Sequence, residues 1–519
     1  MGNRSSASAS TNSSWQSRPS KLAQKASNSS DYSPPVSSTD AQGFNDDQPL
    51  TGVYQKSVGP ASTDVPKGDL TVVMKCCCPQ VQVSTAKAQE FPCIVSLISP
   101  DVEEDKVESE RKGMDLVCVL DVSGSMRGDK LALVQATLLF MLSKLTVKDR
   151  VALVSFQSRP KRVSPLTVCD TVGLSSLTKD VHSLSAGGGT NIVSGLHYGL
   201  EVLKHRRQTN AVTCLFLLSD GADDNSGADA RAREEIDCYG EAVCGAFVTH
   251  TFGYGADHDA VVMSAIAGLR GGCYNFVEST ETVTEAFAKC LGGLISAFAN
   301  SITVEIVPNT DTVIPVVLGK VYGSVENNTL KVINMLTSDR KDSVFILNFP
   351  VSHQNVVTGT PLTPVSAIVT YRLVANGEER RQEATLQLTL ISEADPAAKI
   401  DVDETVLVNF YRVKTAEVLK EAGELSDRGN TESGSELITR FLGELCGSLV
   451  ANHELIKVLI SDLEKSKARM TSESAWSHGG QAMYMDLCSN HMKQQASSNV
   501  RSYTTKTQTS YQAASKRRT

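Results

Sequence analysis

The sequence predicts a doubly wound α/β domain, inserted in or next to a β-sandwich and followed by a helical segment, with disordered termini. Three observations carry this reading. Residues 113–300 alternate short apolar strands with helices, the pattern of a parallel sheet covered on both faces. Residues 301–398 then read as successive strands, and two more strand-like stretches lie earlier, within 69–112. Residues 399–470 switch to a helical period.

Residues 1–68 are rich in Ser, Asn, Pro and Gly and have no hydrophobic period. They cannot bury enough apolar surface to offset ordering entropy, so a disordered tail is expected. "LTVVMKCCC" and "PCIVSLIS" follow as strands, and their period-2 pattern makes Cys76, Cys77 and Cys78 buried or half-buried thiols. A charged linker leads to "DLVCVLD", "RVALVSF", "AVTCLFLLSD", "GAFVTHTFGYG" and "GCYNFVES", each short, apolar and bounded, as strands buried on both faces are. Helices are expected between them, at 129–145, 191–205, 228–241 and 257–269, and after them at 281–300. The first is apolar nearly all round, which suits a helix packed deep against a sheet. An antiparallel edge strand is expected near Val163. Beyond Ser301, Asn376-Gly377 is a two-residue hairpin signal. From Asp401 to Met470 two helical segments are expected, broken at "SDRGNTESGS". Residues 471–519, basic and rich in Ser, Thr, Gln and Tyr, read as a disordered tail.

The chain has 519 residues, 41% hydrophobic and 21% charged, with a formal net charge of -8. Four positives within residues 1–30 and six within 487–519 stand without an acid, which leaves -18 on the body between them. An acidic body argues against nucleic acid as the main partner. No apolar run approaches the ~18 residues needed to span a bilayer, and no signal-peptide core is present. Scattered cysteines without any C-x-x-C pair fit reduced thiols and argue against a zinc finger. The opening "MGNRSS" matches M-G-x-x-x-[ST], so N-myristoylation at Gly2 is expected. One acyl chain binds membranes marginally, and Arg4, Arg18, Lys21 and Lys25 would add salt-sensitive attraction to an anionic surface.

The chemistry concentrates on three loops. "LDVSGSM" places Asp121 at a strand exit with Ser123 and Ser125 behind it. A glycine-rich turn, "SAGGGTNIVSGL", delivers Thr190 to a helix start, and in "LFLLSDG" Asp220 leaves a second buried strand. In open α/β sheets such strand exits meet at the switch point, where ligands bind. Helix capping would explain one Asp or Ser but none of the other two loops. Two carboxylates and three hydroxyls, with no His or Cys, describe a site for a small hard cation, Mg2+ or Mn2+. Neutral hydroxyls leave such an ion under-neutralised, so it would attract a carboxylate from outside.

D-x-S-x-S, then Thr after a Gly-rich loop, then Asp in "SDG", resembles the von Willebrand factor A (VWA) domain over about residues 114–300. The resemblance implies a metal-ion-dependent adhesion site at Asp121, Ser123, Ser125, Thr190 and Asp220, completed by an Asp or Glu of a partner protein. It implies no catalytic residue. The layout also resembles intracellular VWA proteins of plants and protists, several of which carry a zinc RING finger and act as ubiquitin ligases. The cysteines and histidines of that finger are missing here, so a substrate-binding role in such a system is the alternative expectation. A Mg2+-dependent phosphatase would want D-x-D where this chain has D-x-S. "DHD" at 257–259 reads as a helix cap. A cytoplasmic protein, tethered at a membrane through Gly2, is the expected whole.

Overall fold

A computed structural model describes residues 68–83, 88–101, 111–243, 246–278, 282–309, 314–318, 328–349, 357–392 and 401–516. Gly2 and the expected N-terminal tail up to residue 67 lie outside the described residues. The chain opens with β1 (Thr71–Cys76), β2 (Gln80–Val83) and β3 (Gln89–Ile98). The α/β region comprises β4 (Met114–Asp121), α1 (Asp129–Leu142), β5 (Arg150–Phe156), β6 (Pro160–Arg162), β7 (Thr167–Val168), α2 (Thr171–His182), α3 (Ile192–His205), β8 (Val212–Ser219), α4 (Ala228–Ala242), β9 (Val248–Tyr254), α5 (Ala260–Leu269), β10 (Tyr274–Val277) and α6 (Val283–Ile295).

These strands form one sheet in the order β10-β9-β8-β4-β5-β6, with β7 also on β5. The five long strands are parallel, and β6 and β7 run antiparallel to β5 on either side of Val163. All eight residues of β4 are buried, because α3, α4 and α5 cover one face of the sheet while α1, α2 and α6 cover the other. Val117 and Val119 point to the first layer, Leu116, Cys118 and Leu120 to the second. Helix α2 was not expected; Asp170 caps it by accepting the Gly173 N–H at 2.7 Å. Its buried face is Gly173, Leu177 and Val181, spaced one helical turn apart in an otherwise weakly apolar stretch.

The chain leaves α6 directly into β11 (Ala297–Pro308), followed by β12 (Ile314–Val317), β13 (Thr329–Leu336), β14 (Arg340–Phe349), β15 (Thr360–Leu362), β16 (Val365–Leu373), β17 (Glu379–Thr385) and β18 (Leu388–Ser392). Two four-stranded sheets, β1-β3-β14-β12 and β13-β11-β16-β17, share one apolar core, and a small β15-β18-β2 sheet adjoins them. Strands from before and after the α/β region pair directly, β3 with β14 and β2 with β18. The α/β domain is therefore an insertion between β3 and β11. The β16–β17 turn is a four-residue loop, 374–377, closed by the Leu373 N–H on the Glu378 carbonyl at 2.9 Å, not the expected two-residue turn; Gly377 takes φ +72° while Asn376 stays outside the left-handed region.

The C-terminal part differs most from expectation. Three helices, not two, follow the sheets: α7 (Glu404–Asp427), α8 (Thr431–Cys446) and α9 (Glu454–Ala468). Asn430 caps α8 at the expected break, and a second break at residues 447–453 carries no strong sequence signal. The disordered tail expected over 471–519 is overturned as far as Lys516. Helices α10 (Gln481–Lys493) and α11 (Lys506–Lys516) are folded there, with Trp476, Leu487 and Val500 buried. The physical reason lies in β10, the outermost strand of the central sheet. Its unpaired backbone groups need partners, and polar side chains of the tail provide them. Asp486 accepts the Phe276 N–H at 3.3 Å, while Asn490 and Asn499 donate to the carbonyls of Tyr274 and Phe276 at 3.1 and 3.0 Å. The tail's polarity is thus consumed in covering a sheet edge.

Two predictions follow from this packing. Leu487 is fully buried between α7 and the sheet edge, so Leu487→Ala should cost about 2–5 kcal/mol in urea denaturation. A mobile tail would leave the midpoint unchanged. At the base of the sheet, buried Asp115 holds Arg150 through bonds of 2.8 and 2.9 Å and Arg206 at 2.8 Å. Asp115→Asn should cost about 3–5 kcal/mol, since it strands buried guanidinium charge.

Candidate metal centre

The order β8-β4-β5 makes the point between β8 and β4 the place where consecutive connections diverge to opposite faces, and a crevice opens there at the strand exits. Asp121 ends β4 and Asp220 follows β8, so one carboxylate stands on each wall. Asp121 is fully buried. One of its oxygens accepts the Ser123 N–H at 2.8 Å, and the other accepts the Ser219 hydroxyl at 2.5 Å. Burial pushes its carboxyl above the ordinary value, against the pull of the Ser219 and Ser123 hydrogen bonds, and the charge of Asp220 pushes the same way.

The two serines lie in the turn and short 3-10 helix (Gly124–Met126) after Asp121. Their hydroxyls are 3.0 Å apart, and Ser125 donates to Asp220 at 2.6 Å, which closes a chain of oxygens from one wall to the other. Thr190 arrives on the glycine loop. Gly124 N–H donates to Gly188 at 2.9 Å and Gly187 N–H to Val122 at 2.8 Å, so the two loops are tied backbone to backbone. A methyl placed on Gly221 would sit 3.2 Å from the Thr190 hydroxyl and 3.7 Å from that of Ser125, so both hydroxyls border the same small space.

Four residues of this centre were not singled out from sequence. Ser219 orients Asp121. Asp224 accepts the Thr190 N–H at 2.7 Å, and Asp223 accepts the Ile192 N–H at 2.7 Å, at the open N-terminus of α3. The acidic pair directly after "SDG" was the available signal, because helix starts attract carboxylates. Gly189 is required here, since a Cβ would fall 2.3 Å from an Asp224 oxygen. The fourth is Lys130 of α1, whose ammonium pairs with Asp220.

This donor set fits a hard divalent cation. Asp115 and Asp121 stand six peptide units apart near opposite ends of β4, roughly one strand length. Asp115 is neutralised by two arginines, whereas among the described residues no basic side chain pairs with Asp121. A buried carboxylate held only by hydroxyl and amide donors lacks a counter-charge. Asp220, by contrast, has the Lys130 ammonium as its ion-pair partner. The described residues hold no group of three or more His, Cys, Asp or Glu able to bind a metal. The "DHD" stretch borders the centre: the Asp259 N–H donates to the Gly221 carbonyl at 3.2 Å, and the Asp259 carboxylate caps α5 by accepting the Val262 N–H at 3.0 Å. Buried His258 bonds the Tyr274 hydroxyl at 2.6 Å, and burial lowers its pKa to about 4.

Comparison with known proteins agrees with this architecture. Residues 115–289 match the family model of the von Willebrand factor type A domain. The chain is 32% identical over 199 residues to "E3 ubiquitin-protein ligase WAV3" of Arabidopsis thaliana, which covers 38% of this chain and 25% of that protein. It is 31% identical over 151 residues to "E3 ubiquitin-protein ligase WAVH1" of the same plant, covering 27% and 22%. The chain thus spans about a quarter of the length of these relatives. Among solved structures, a von Willebrand factor type A protein from Catenulispora acidiphila superposes with a TM-score of 0.57 at 14% identity, over 80% of this chain and 96% of that one. The ArnB paralog VWA2 from Sulfolobus acidocaldarius gives 0.51 at 14% identity, over 82% and 98%. At such identity the likeness is one of fold, and it extends well past the α/β domain. The chain therefore carries a von Willebrand factor type A domain, at residues 115–289.

Proposed function

We propose that this chain is a non-enzymatic interaction protein whose VWA domain captures a partner's Asp or Glu through a Mg2+ or Mn2+ ion. Asp121, Ser123, Ser125, Thr190 and Asp220 would hold that ion. When bound, the ion supplies the positive charge on which an outside carboxylate docks. The observation that carries the reading is the contrast within β4: one buried aspartate has two arginines, the other has only hydroxyl and amide donors. Ser219 holds Asp121 in place, Asp224 holds the Thr190 loop, and Asp223 anchors the start of α3. The five donors are thereby fixed on a rigid sheet before any partner arrives, which limits the ordering cost of binding.

The Gly2 acylation signal, with the basic residues near it, would bring this module to a membrane surface reversibly. The test uses the full-length chain and its Asp121→Asn variant, with and without Mg2+. Mg2+ at about 100 times its Kd should stabilise the wild type by about 2.7 kcal/mol and leave the variant unmoved. In metal-free buffer the variant should be at least as stable as wild type, because it removes a buried charge without changing volume. Partners retained from cell lysate in Mg2+ should be lost both in EDTA and with the variant. Equal retention in all three would defeat the proposal.

A second reading is favoured by the named relatives: a substrate-binding component of a ubiquitin-ligase system. Incubation of the purified chain with ubiquitin, activating enzyme and a panel of conjugating enzymes decides whether it acts alone. No self-modification is expected, because no C-x-x-C pair for a zinc finger is present in the sequence. Ubiquitin chains built by the purified protein would make it an enzyme.

A further inference from the structure

The cysteine run that the metal centre does not use gathers into a cluster under the first sheet. Cys76 of β1 and Cys93 of β3 are partners in the antiparallel register, and both are buried on the inner face. The Cys77 N–H donates to the Pro92 carbonyl at 2.8 Å. That makes Cys77 and Pro92 a hydrogen-bonded pair. By alternation, Cys76 and Cys93 are a non-hydrogen-bonded pair, the kind whose Cα atoms are about 4.5 Å apart and whose side chains come closest. A disulfide needs Cα atoms about 4.4–6.8 Å apart. Cys77 is buried, and its sulfur lies 3.8 Å from that of half-buried Cys78. The thiols therefore run in sequence from a partly accessible sulfur to a fully enclosed pair.

We propose that Cys76 and Cys93 are a reversible cross-strand disulfide site, loaded by a small-molecule disulfide that enters at Cys78 and is passed inward by thiol exchange. The Cys78 sulfur attacks the incoming disulfide, its S–S bond breaks, and one small thiol leaves with a proton. Cys76, whose sulfur takes a hydrogen bond from the Cys78 backbone, displaces the second small thiol, forming a Cys76–Cys78 bond. Cys93 then attacks Cys76 and frees Cys78. In total two protein thiols lose two electrons and two protons, and one small disulfide becomes two small thiols. Hydrogen bonds from the Cys77 and Cys93 thiols hold the Cys76 thiol below its ordinary pKa, whereas burial raises that of Cys93. Cys76 is thereby the more nucleophilic of the enclosed pair. The Cys93 thiol is otherwise engaged only weakly, donating to the Phe91 carbonyl at 3.5 Å.

The location gives the bond a consequence. The Cys77 carbonyl accepts the Asp403 N–H at 2.8 Å, and Lys75 pairs with the Asp403 carboxylate at 2.8 Å. Asp403 is the cap of α7, the long helix on which the C-terminal segment is built. Stapling β1 to β3 would therefore fix the anchor of that helix.

The experiment treats the reduced, full-length native protein with glutathione disulfide, quenches with acid, alkylates free thiols and maps linkages by peptide mass spectrometry. The expected result is the loss of two hydrogens per chain, a Cys76–Cys93 link confirmed by fragmentation, and its reversal by excess reduced thiol. Cys93→Ser should abolish that link, and Cys78→Ser should slow its formation at least about tenfold. A link that forms only after urea, a lasting Cys77–Cys78 bond, or a lasting mixed disulfide at Cys78 in the wild type would overturn the proposal. An unchanged rate in Cys78→Ser would overturn the inward route.

Discussion

The cost of burying a carboxylate organises this protein. Strand β4 runs through the middle of the central sheet with every residue enclosed, and it carries an aspartate near each end. At the lower end the charge is met by Arg150 and Arg206, with Asn210 donating to the same carboxylate, so the base of the sheet is a closed ionic knot. At the upper end Asp121 is met, among the described residues, by the hydroxyls of Ser219 and Ser123 and the Ser123 amide. The asymmetry lies in the counter-charge: the lower end is closed by guanidinium groups, whereas among the described residues the upper carboxylate has no cationic partner. The same strand thus provides both a stability element and one wall of the crevice at the strand exits.

The positions of the remaining donors follow from the topology. Because β8 and β5 flank β4 on opposite sides, the connections around them diverge, and the loops after all three strands share one rim. The glycine loop reaches that rim by backbone bonds to the Asp121 turn, and Asp223 and Asp224 then pin the loop and the start of α3. The arrangement is rigid because nearly every polar group in it serves a neighbour. The Ser125 hydroxyl and the Lys130 ammonium both go to Asp220, so the acidic wall is held in a compensated state.

The same economy appears at the far edge of the sheet. A parallel sheet ending in an exposed strand invites pairing with another chain. Here α10 and the residues after it cover β10 with Asp486, Asn490 and Asn499, and α11 lies along α6, where Gln512 donates to Glu285 at 2.7 Å. The C-terminal segment therefore completes the α/β domain from outside, and α7 ties it back to the first sheet through Asp403.

The sequence by itself determined the α/β alternation, the hairpin at Asn376-Gly377 and the three loops of the centre. In each case the signal is local: an apolar run bounded by polar residues, a turn dipeptide that tolerates positive φ, or a carboxylate at a strand exit that burial would penalise. Asp121, Ser123, Ser125, Thr190 and Asp220 could be singled out because strand exits and loop ends show in residue type and order, and the fold brings them to one rim. Their supports were not. Ser219 and Lys130 look like ordinary residues until the fold brings them to Asp121 and Asp220. The tertiary structure alone decided that the polar tail folds, because Asp486, Asn490 and Asn499 gain their stabilising partners from a strand edge more than two hundred residues earlier in the chain. It also decided that Cys76 meets Cys93, since antiparallel register is a property of two strands together and is written in neither one.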